Sequence, residues 1–354
     1  MDLEKIPKEN VELVKVFGAE PVSKLKEKPD VYTFKSDLIY SHRDFDKFFA
    51  ALKRGEKCAI VSGFNASGTI HMGHKAVFDT NLYFQKKYGI PIFIPISDDE
   101  SYVAKKVKTQ EEALENSLKL AKELLAYGFD PKKTYIIIDQ IFTNIYNLAI
   151  KLSTHVTLSE IKATYGYNME DNPGLFFYPA IQSAHIIFPQ EKFGIKNVLV
   201  PIGPDEDAHL RICRDIAGRM GYNKPAVLHA RFLPGLDGEK MSKSRANAIF
   251  LRDDEKTAIK KINQAYSGGA KTIEEHRKYG GKPEEDVPIF FLSRFFLNEK
   301  ESDDLKNKYR KGKILSSEVK KLFANKAVAF LKEFQSKVKS VSQVDLDKAI
   351  LKNS

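Results

Sequence analysis

Five short stretches of the chain, Cys58–Phe64, Ile92–Ser97, Tyr135–Asp139, Val198–Ile202 and Ala226–Phe232, run almost continuously apolar, with segments of helical periodicity between them. Strands buried on both faces of a parallel sheet read this way, so residues 56–250 predict a Rossmann-like, doubly wound α/β domain. Thr109 with Glu112 makes a capping-box signature, after which Leu114, Leu118, Ala121 and Leu125 share one helical face until Gly128 ends the run. From about 142 to 196 the strand rhythm breaks into helical pieces and the turn Asp171-Asn172-Pro173-Gly174, which predicts an inserted helical segment. Beyond Phe250 the strand signal disappears; Thr272 with Glu275 opens another capped helix, and amphipathic runs rich in Leu, Phe and Lys follow. Residues 251–354 therefore predict an all-helical domain. Residues 1–55 read as an N-terminal extension with some structure and no assignable chemistry. No period of 20–50 residues recurs, which excludes a solenoid or propeller.

Composition narrows the class. A chain of 354 residues, 42% hydrophobic and 29% charged, has ample core for two or three domains and is not of the disordered type. Its two cysteines, 58 and 213, form no CxxC pair, so neither a zinc site nor a disulfide framework is expected, and no protein-bound metal is assigned. A reducing cytoplasm is the expected location. The start Met1-Asp2-Leu3-Glu4-Lys5 lacks the basic-then-apolar pattern of a secretory leader, and no run approaches the ~20 apolar residues of a membrane span. The net charge of +10 is unevenly placed: +1 in residues 1–55, +2 in 56–250 and +7 in 251–354. A basic helical module on a nearly neutral body suits an enzyme that handles nucleic acid, because Lys and Arg displace condensed counterions from phosphates.

Two constellations carry the chemistry. The first strand runs into Gly63-Phe64-Asn65-Ala66-Ser67-Gly68-Thr69-Ile70-His71-Met72-Gly73-His74 and then a helix. Such a junction lies at the carboxyl edge of a parallel sheet, where free N–H groups and the positive end of the helix dipole suit phosphate. The spacing is not the dinucleotide GxGxxG. It offers instead two imidazoles able to donate to phosphate oxygens, with Gly73 leaving room for a base or ribose. The second constellation, Gly238-Glu239-Lys240-Met241-Ser242-Lys243-Ser244, follows the last strand. Alone it reads as a solvated Lys/Ser loop; beside the first, it is a loop that grips a leaving pyrophosphate as charge develops on it.

The HxGH and Lys-Met-Ser-Lys-Ser pair on a doubly wound sheet resembles the class I aminoacyl-tRNA synthetases. The resemblance implies in-line attack of an amino-acid carboxylate on the α-phosphate of ATP, a reaction of positioning and charge stabilisation that needs no covalent nucleophile. About 170 residues separate His71 from Lys240, which leaves no room for an editing domain. That points to the compact members, for tyrosine or tryptophan, whose large polar-handled rings are selected in one step. His155-Val156-Thr157-Leu158, Tyr178-Pro179-Ala180-Ile181-Gln182, Asp205-Glu206-Asp207 with Arg211 and Arg214-Asp215-Ile216-Ala217, Ser267-Gly268-Gly269 and Thr272-Ile273-Glu274-Glu275-His276-Arg277 with Gly280-Gly281 look like tryptophanyl-tRNA synthetases of the archaeal/eukaryotic type, over nearly the whole chain from about residue 55.

By that resemblance His71, His74, Lys240 and Lys243 are catalytic. Gly63, Ser67, Gly73, Asp205 and Met241 join His71, His74 and Lys243 around ATP. Glu100 and Gln182 take the amino group of L-tryptophan. Val61, Pro95 and Glu206 fall where the eukaryotic members carry Tyr, Gln and Gln around the indole; Val61 and Pro95 have no side-chain acceptor, so the indole N–H needs Glu206, Gln182 or a backbone carbonyl. The family further implies ATP with Mg2+, tRNA(Trp) read by the helical domain, and a homodimer built on the inserted segment. Two other readings use the same motifs: a small-molecule nucleotidyltransferase, which has no need of a basic helical module, and an RNA-binding derivative of a synthetase, which would not keep His71, His74, Lys240 and Lys243.

Overall fold

Alternate residues along each central strand enter opposite cores, and this places every helix on one side of the sheet or the other. The computed structural model describes residues 2, 3, 5, 7–241 and 247–353. Its strands are β1 (Glu20–Pro21), β2 (Ile39–Arg43), β3 (Cys58–Val61), β4 (Phe64–Asn65), β5 (Ile92–Ser97), β6 (Thr134–Ile138), β7 (Asn197–Ile202) and β8 (Ala226–Ala230). The five long parallel strands lie in the order β6-β5-β3-β7-β8, with β4 prolonging the line of β3 beside β5. Strand order therefore reverses between β3 and β7, which opens a crevice at their carboxyl ends.

Ile60, Ile92, Ile94, Ile96, Ile136, Ile138, Leu199 and Leu228 face one core, which runs on into Phe45, Phe84, Leu124 and the C-terminal helices. Ala59, Val61, Phe93, Ile137, Val198, Val200 and Val227 face the other, filled by Ile145, Leu148, Ile187, Leu210 and Ile216. The second core receives the helices Ile145–Ser153 and Pro173–Phe193 of the inserted segment and the helix Asp207–Arg219. The fold is thus the expected α/β class with an insertion and C-terminal helices.

Particular elements depart from the sequence reading. The run Cys58–Phe64 splits into β3 and β4 around Gly63. The helix Gln110–Tyr127 is capped by Thr109, whose hydroxyl accepts from Glu112 N at 3.1 Å, and ends at Gly128. Its buried face includes Ala121 and Leu125 as expected, but is centred on Ala113, Ser117, Leu120 and Leu124, and Leu118 is exposed. Residues 20–21 and 39–43 form strands, with β2 antiparallel to β8 and β1 to β2, extending the sheet past its parallel part. At the opposite edge Leu351 N donates to Ile136 O at 2.9 Å, so the chain's last residues close the open side of β6.

The C-terminal helices are organised by a buried carboxylate. Asp286 caps the helix Val287–Phe295 by accepting from Ile289 N at 2.9 Å, and also accepts from Gly268 N at 3.1 Å and the Tyr309 hydroxyl at 2.8 Å. Tyr309 in turn needs Gly281, where a Cβ would stand 2.4 Å from its ring. Replacing Tyr309 by Phe leaves Asp286 one donor short in a dry site and is expected to cost about 1–2 kcal/mol, read as a lower urea midpoint by far-UV circular dichroism. An unchanged midpoint would show that water replaces the hydroxyl.

Candidate active site

The crevice between β3 and β7 holds a cavity of about 460 Å3 whose walls come from the carboxyl ends of β3, β5 and β7 and from the inserted helices. Of the residues singled out from sequence, Val61, Gly63, His74, Pro95, Glu100, Gln182, Asp205 and Glu206 line it. His71, Gly73, Lys240 and Met241 lie along its rim, and Ser67 is an exposed loop residue whose N–H donates to Asn65 Oδ1 at 3.0 Å. Ser242, Lys243 and Ser244 fall outside the described residues.

At the rim, backbone hydrogen bonds set the imidazoles. His71 Nδ1 accepts from Gly73 N at 3.1 Å, and His74 Nδ1 lies 3.1 Å from His71 N, in a reciprocal cap of the short turn that starts the helix Lys75–Tyr88. With Nδ1 occupied as an acceptor, the neutral His71 ring carries its proton on Nε2, a donor suited to a phosphate oxygen. The two rings lie 3.9 Å apart between centroids. At Gly73 a Cβ would fall 2.7 Å from the His71 ring and 2.9 Å from Met241 Sδ, so the glycine lets the loop after the last strand close on the HxGH turn. Two backbone bonds tie the same segments: Met72 N to Ile249 O and Leu251 N to Ile70 O, both 2.9 Å. Lys240 Nζ sits 3.7 Å from Asp205 and 3.5 Å above the Phe232 ring. A cation held this lightly is free to exchange its partners for phosphate.

Deeper in, acceptors cluster. Glu100, buried at the start of the helix Asp98–Val103, accepts from Asn65 Nδ2 and from Lys106 Nζ at 2.6 Å. Across the cavity Tyr165 donates to Gln182 Oε1 at 2.7 Å and stacks on His209, with centroids 3.9 Å apart and rings nearly parallel. His209 lies 3.4 Å from Glu206. Burial opposes the Glu206 charge, but His209, Lys106 and Gln182 hold its carboxyl below the usual range. Asp205 is pushed up by burial and by Glu206 beside it. Sequence reading missed Asn65, Lys106, Tyr165 and Tyr178. His209, three residues after Glu206 on a helix, was the one partner that spacing alone would have indicated.

Residues 53–332 match the model of the family described as tRNA synthetases class I (W and Y). The tryptophan–tRNA ligase of Methanocaldococcus jannaschii is 39% identical over 344 residues, covering 93% of this chain and 91% of that one. That of Sulfolobus acidocaldarius is 37% identical, covering 86% and 80%. Among solved structures, the tryptophanyl-tRNA synthetase of Aeropyrum pernix superposes with a TM-score of 0.89 at 33% identity, over 98% of this chain and 97% of that one.

Behind the cavity wall lies a dry acidic cluster. His185 Nε2 is 2.7 Å from Asp139, both fully buried, and Asp98 accepts from Asp139 N at 2.9 Å and from Gln140 Nε2 at 2.7 Å. Burial, with Asp139 adjacent, pushes the Asp99 carboxyl up to about 8, and burial pushes the Asp139 carboxyl up as well, so near neutrality the two neighbouring acids share a proton. Burial lowers His185 to about 4, which leaves it neutral. A raised acid stabilises the fold fully below its unfolded pKa of about 4 and loses that contribution as pH rises to its folded value. A depressed His acts oppositely, destabilising as pH falls from about 6.5 to 4. Between about pH 6.5 and 8 the two raised acids act and His185 does not. The thermal midpoint is therefore expected to fall across that window in the wild type and to fall less in Asp99→Asn; parallel curves for the two would refute the shared proton.

Proposed function

The chain belongs to the class I tRNA synthetases for tryptophan and tyrosine, and from that membership we propose that it ligates L-tryptophan to tRNA(Trp) through a tryptophanyl-adenylate. The observation that carries this reading is the joining of the HxGH turn to the loop after the last strand at the rim of one acceptor-lined cavity, in a chain 34–39% identical to archaeal tryptophan–tRNA ligases.

Tryptophan and Mg·ATP are the substrates of the first step. Gly63, Ser67 and Gly73 leave room for ATP against the backbone, and His71 and His74 donate to its phosphates. Glu100 and Gln182 receive the ammonium group of tryptophan, Val61 and Pro95 wall the indole, and Glu206 accepts its N–H. A tryptophan carboxylate oxygen attacks the α-phosphorus, the bond to the bridging oxygen breaks, and pyrophosphate leaves with the electron pair. Lys240, Met241 and Lys243 form the loop that meets its growing charge, while Asp205 faces the ribose and the amino acid. In the second step a hydroxyl of the terminal adenosine of tRNA attacks the carbonyl carbon, AMP leaves, and the hydroxyl proton passes to solvent.

The helices of residues 251–354, with their +7 charge, supply the phosphate-contacting surface for tRNA, whose splayed anticodon bases they read. A homodimer through the inserted segment is supported by Ile150, Leu158 and Met169, each more than half exposed. No described helix is long and apolar enough to cross a membrane; the cytoplasm is the proposed location.

Exchange of pyrophosphate into ATP, run with each of the twenty amino acids, should proceed with tryptophan; exchange with tyrosine instead would reassign the substrate. Lys240→Ala should lower kcat for exchange by about a hundredfold with a smaller change in the KM for tryptophan. Glu206→Ala should raise that KM about tenfold or more, the cost of an unpaired N–H in a closed pocket being ~1–3 kcal/mol. An unchanged KM would remove Glu206 as the indole acceptor.

A further inference from the structure

The N-terminal extension, to which the sequence attaches no chemistry, grips the segment that carries Asp205 and Glu206. Arg43, at the end of β2, forks onto Asp207: Nε donates to Oδ1 and Nη2 to Oδ2, both at 2.7 Å. The pair is buried, with the two side chains 11% and 1% exposed. Nη2 also donates to Phe17 O at 2.8 Å, which ties the start of the chain to the same point. On the other side of Asp207, His229 Nε2 stands 2.9 Å from Oδ1, and Ser41 Oγ stands 2.9 Å from His229 Nδ1. Ser41, His229 and Asp207 have the contacts of a hydrolytic triad, but Ser41 and His229 are wholly buried in the β2–β8 pair and no substrate reaches them. Their work is to hold Asp207.

The next residue repeats the grip. Asp44 has φ of 51°, a left-handed conformation that an Asp tolerates at some cost, and its Oδ2 accepts from Arg214 Nη2 at 2.6 Å. In an extended strand consecutive side chains point to opposite faces. The left-handed turn instead lets Arg43 and Asp44 reach the same helix at Asp207 and Arg214, seven residues apart and so on one face. Charges are crossed in the two pairs, which fixes the sliding of the helix Asp207–Arg219 as well as its distance. Glu206 is the residue before that helix, and Asp205 the one before that, in the turn Pro204–Glu206.

We propose that Arg43 is a positioning residue for amino-acid binding: through Asp207 it sets the start of the helix Asp207–Arg219 so that Glu206 meets His209, Gln182 and the indole. The proposal rests on the amino-acid site given above, and its test separates the two. Equilibrium dialysis with labelled tryptophan and, separately, with ATP is run on the wild type, Arg43→Lys and Arg43→Ala. Arg43→Lys keeps the charge and loses the fork, so the folded variant should bind tryptophan on the order of tenfold more weakly. Its Kd for ATP should rise less, by no more than about threefold, since only Asp205 of the residues assigned to ATP shares the turn before this helix and the HxGH turn is held from elsewhere. Ser41→Ala, one step further along the chain, should shift tryptophan affinity the same way by less. If the wild type fails to bind tryptophan, the amino-acid site itself is wrong. If the wild type binds and Arg43→Lys binds equally well, or loses tryptophan and ATP in equal measure, the positioning role is overturned while the site stands. Should Arg43→Ala fail to fold, Arg43→Lys alone decides.

Discussion

Two backbone hydrogen bonds, Met72 N to Ile249 O and Leu251 N to Ile70 O, hold together segments nearly 180 residues apart, and the rim of the active site is built around them. They use main-chain groups that would otherwise be orphaned beside a polar cavity, so the join does not depend on the side chains that contact substrate. Four further contacts keep residues 248–253 in place. Lys261 donates to Ala248 O at 3.1 Å and pairs with Asp253 at 2.7 Å. Gln335, from the long C-terminal helix Ser316–Ser340, donates to Leu251 O and Asp253 O at 3.0 and 2.9 Å. The C-terminal helix Ser316–Ser340 is thus tied to the segment that holds the HxGH turn.

Reversal of strand order supplies the second constraint. Because β3 and β7 are neighbours whose connections depart in opposite directions, no crossover covers the crevice between them, and loops from both halves of the sheet converge there. The inserted helices then make the far wall with Tyr165, Tyr178 and Gln182, while β2 steadies the near wall from outside the parallel core. The cavity is therefore assembled from segments that are remote in sequence and share no local pattern.

That assembly explains what the sequence could and could not disclose. The five parallel strands were legible because double burial leaves uninterrupted Ile, Val and Ala, and the HxGH and Lys-Met-Ser motifs because each is contiguous. β2 was not, since its inward residues include Ser41 and His42, buried polar groups that erase the apolar signal. The helix Gln110–Tyr127 was found from its cap, and Ala121 and Leu125 are buried as expected, yet Leu118, apolar but solvent-facing, outweighed the small buried Ala113 and Ser117. Glu206 and Gln182 came from resemblance. Tyr165, which donates to Gln182, and Lys106, whose charge steadies Glu206, come from other elements, and only the fold brings them close.

Charge separation across the site follows the chemistry proposed for it. The deep end gathers Glu100 and Glu206, with Lys106 compensating only part of their charge. The rim presents imidazole donors and Lys240. A zwitterionic amino acid bound in such a gradient has its ammonium drawn inward and its carboxylate turned toward the rim, where the α-phosphate must be met. A phosphate at that end would face two carboxylates, an arrangement that disfavours the polyanionic nucleotide where the amino acid is proposed to bind. In the binding mode proposed, Glu206 adds selectivity within that frame. An ionised carboxylate only accepts hydrogen bonds: it is matched by an indole N–H and left unpaired by a benzyl ring, which makes rejection of phenylalanine far steeper than the loss of apolar contact alone would allow.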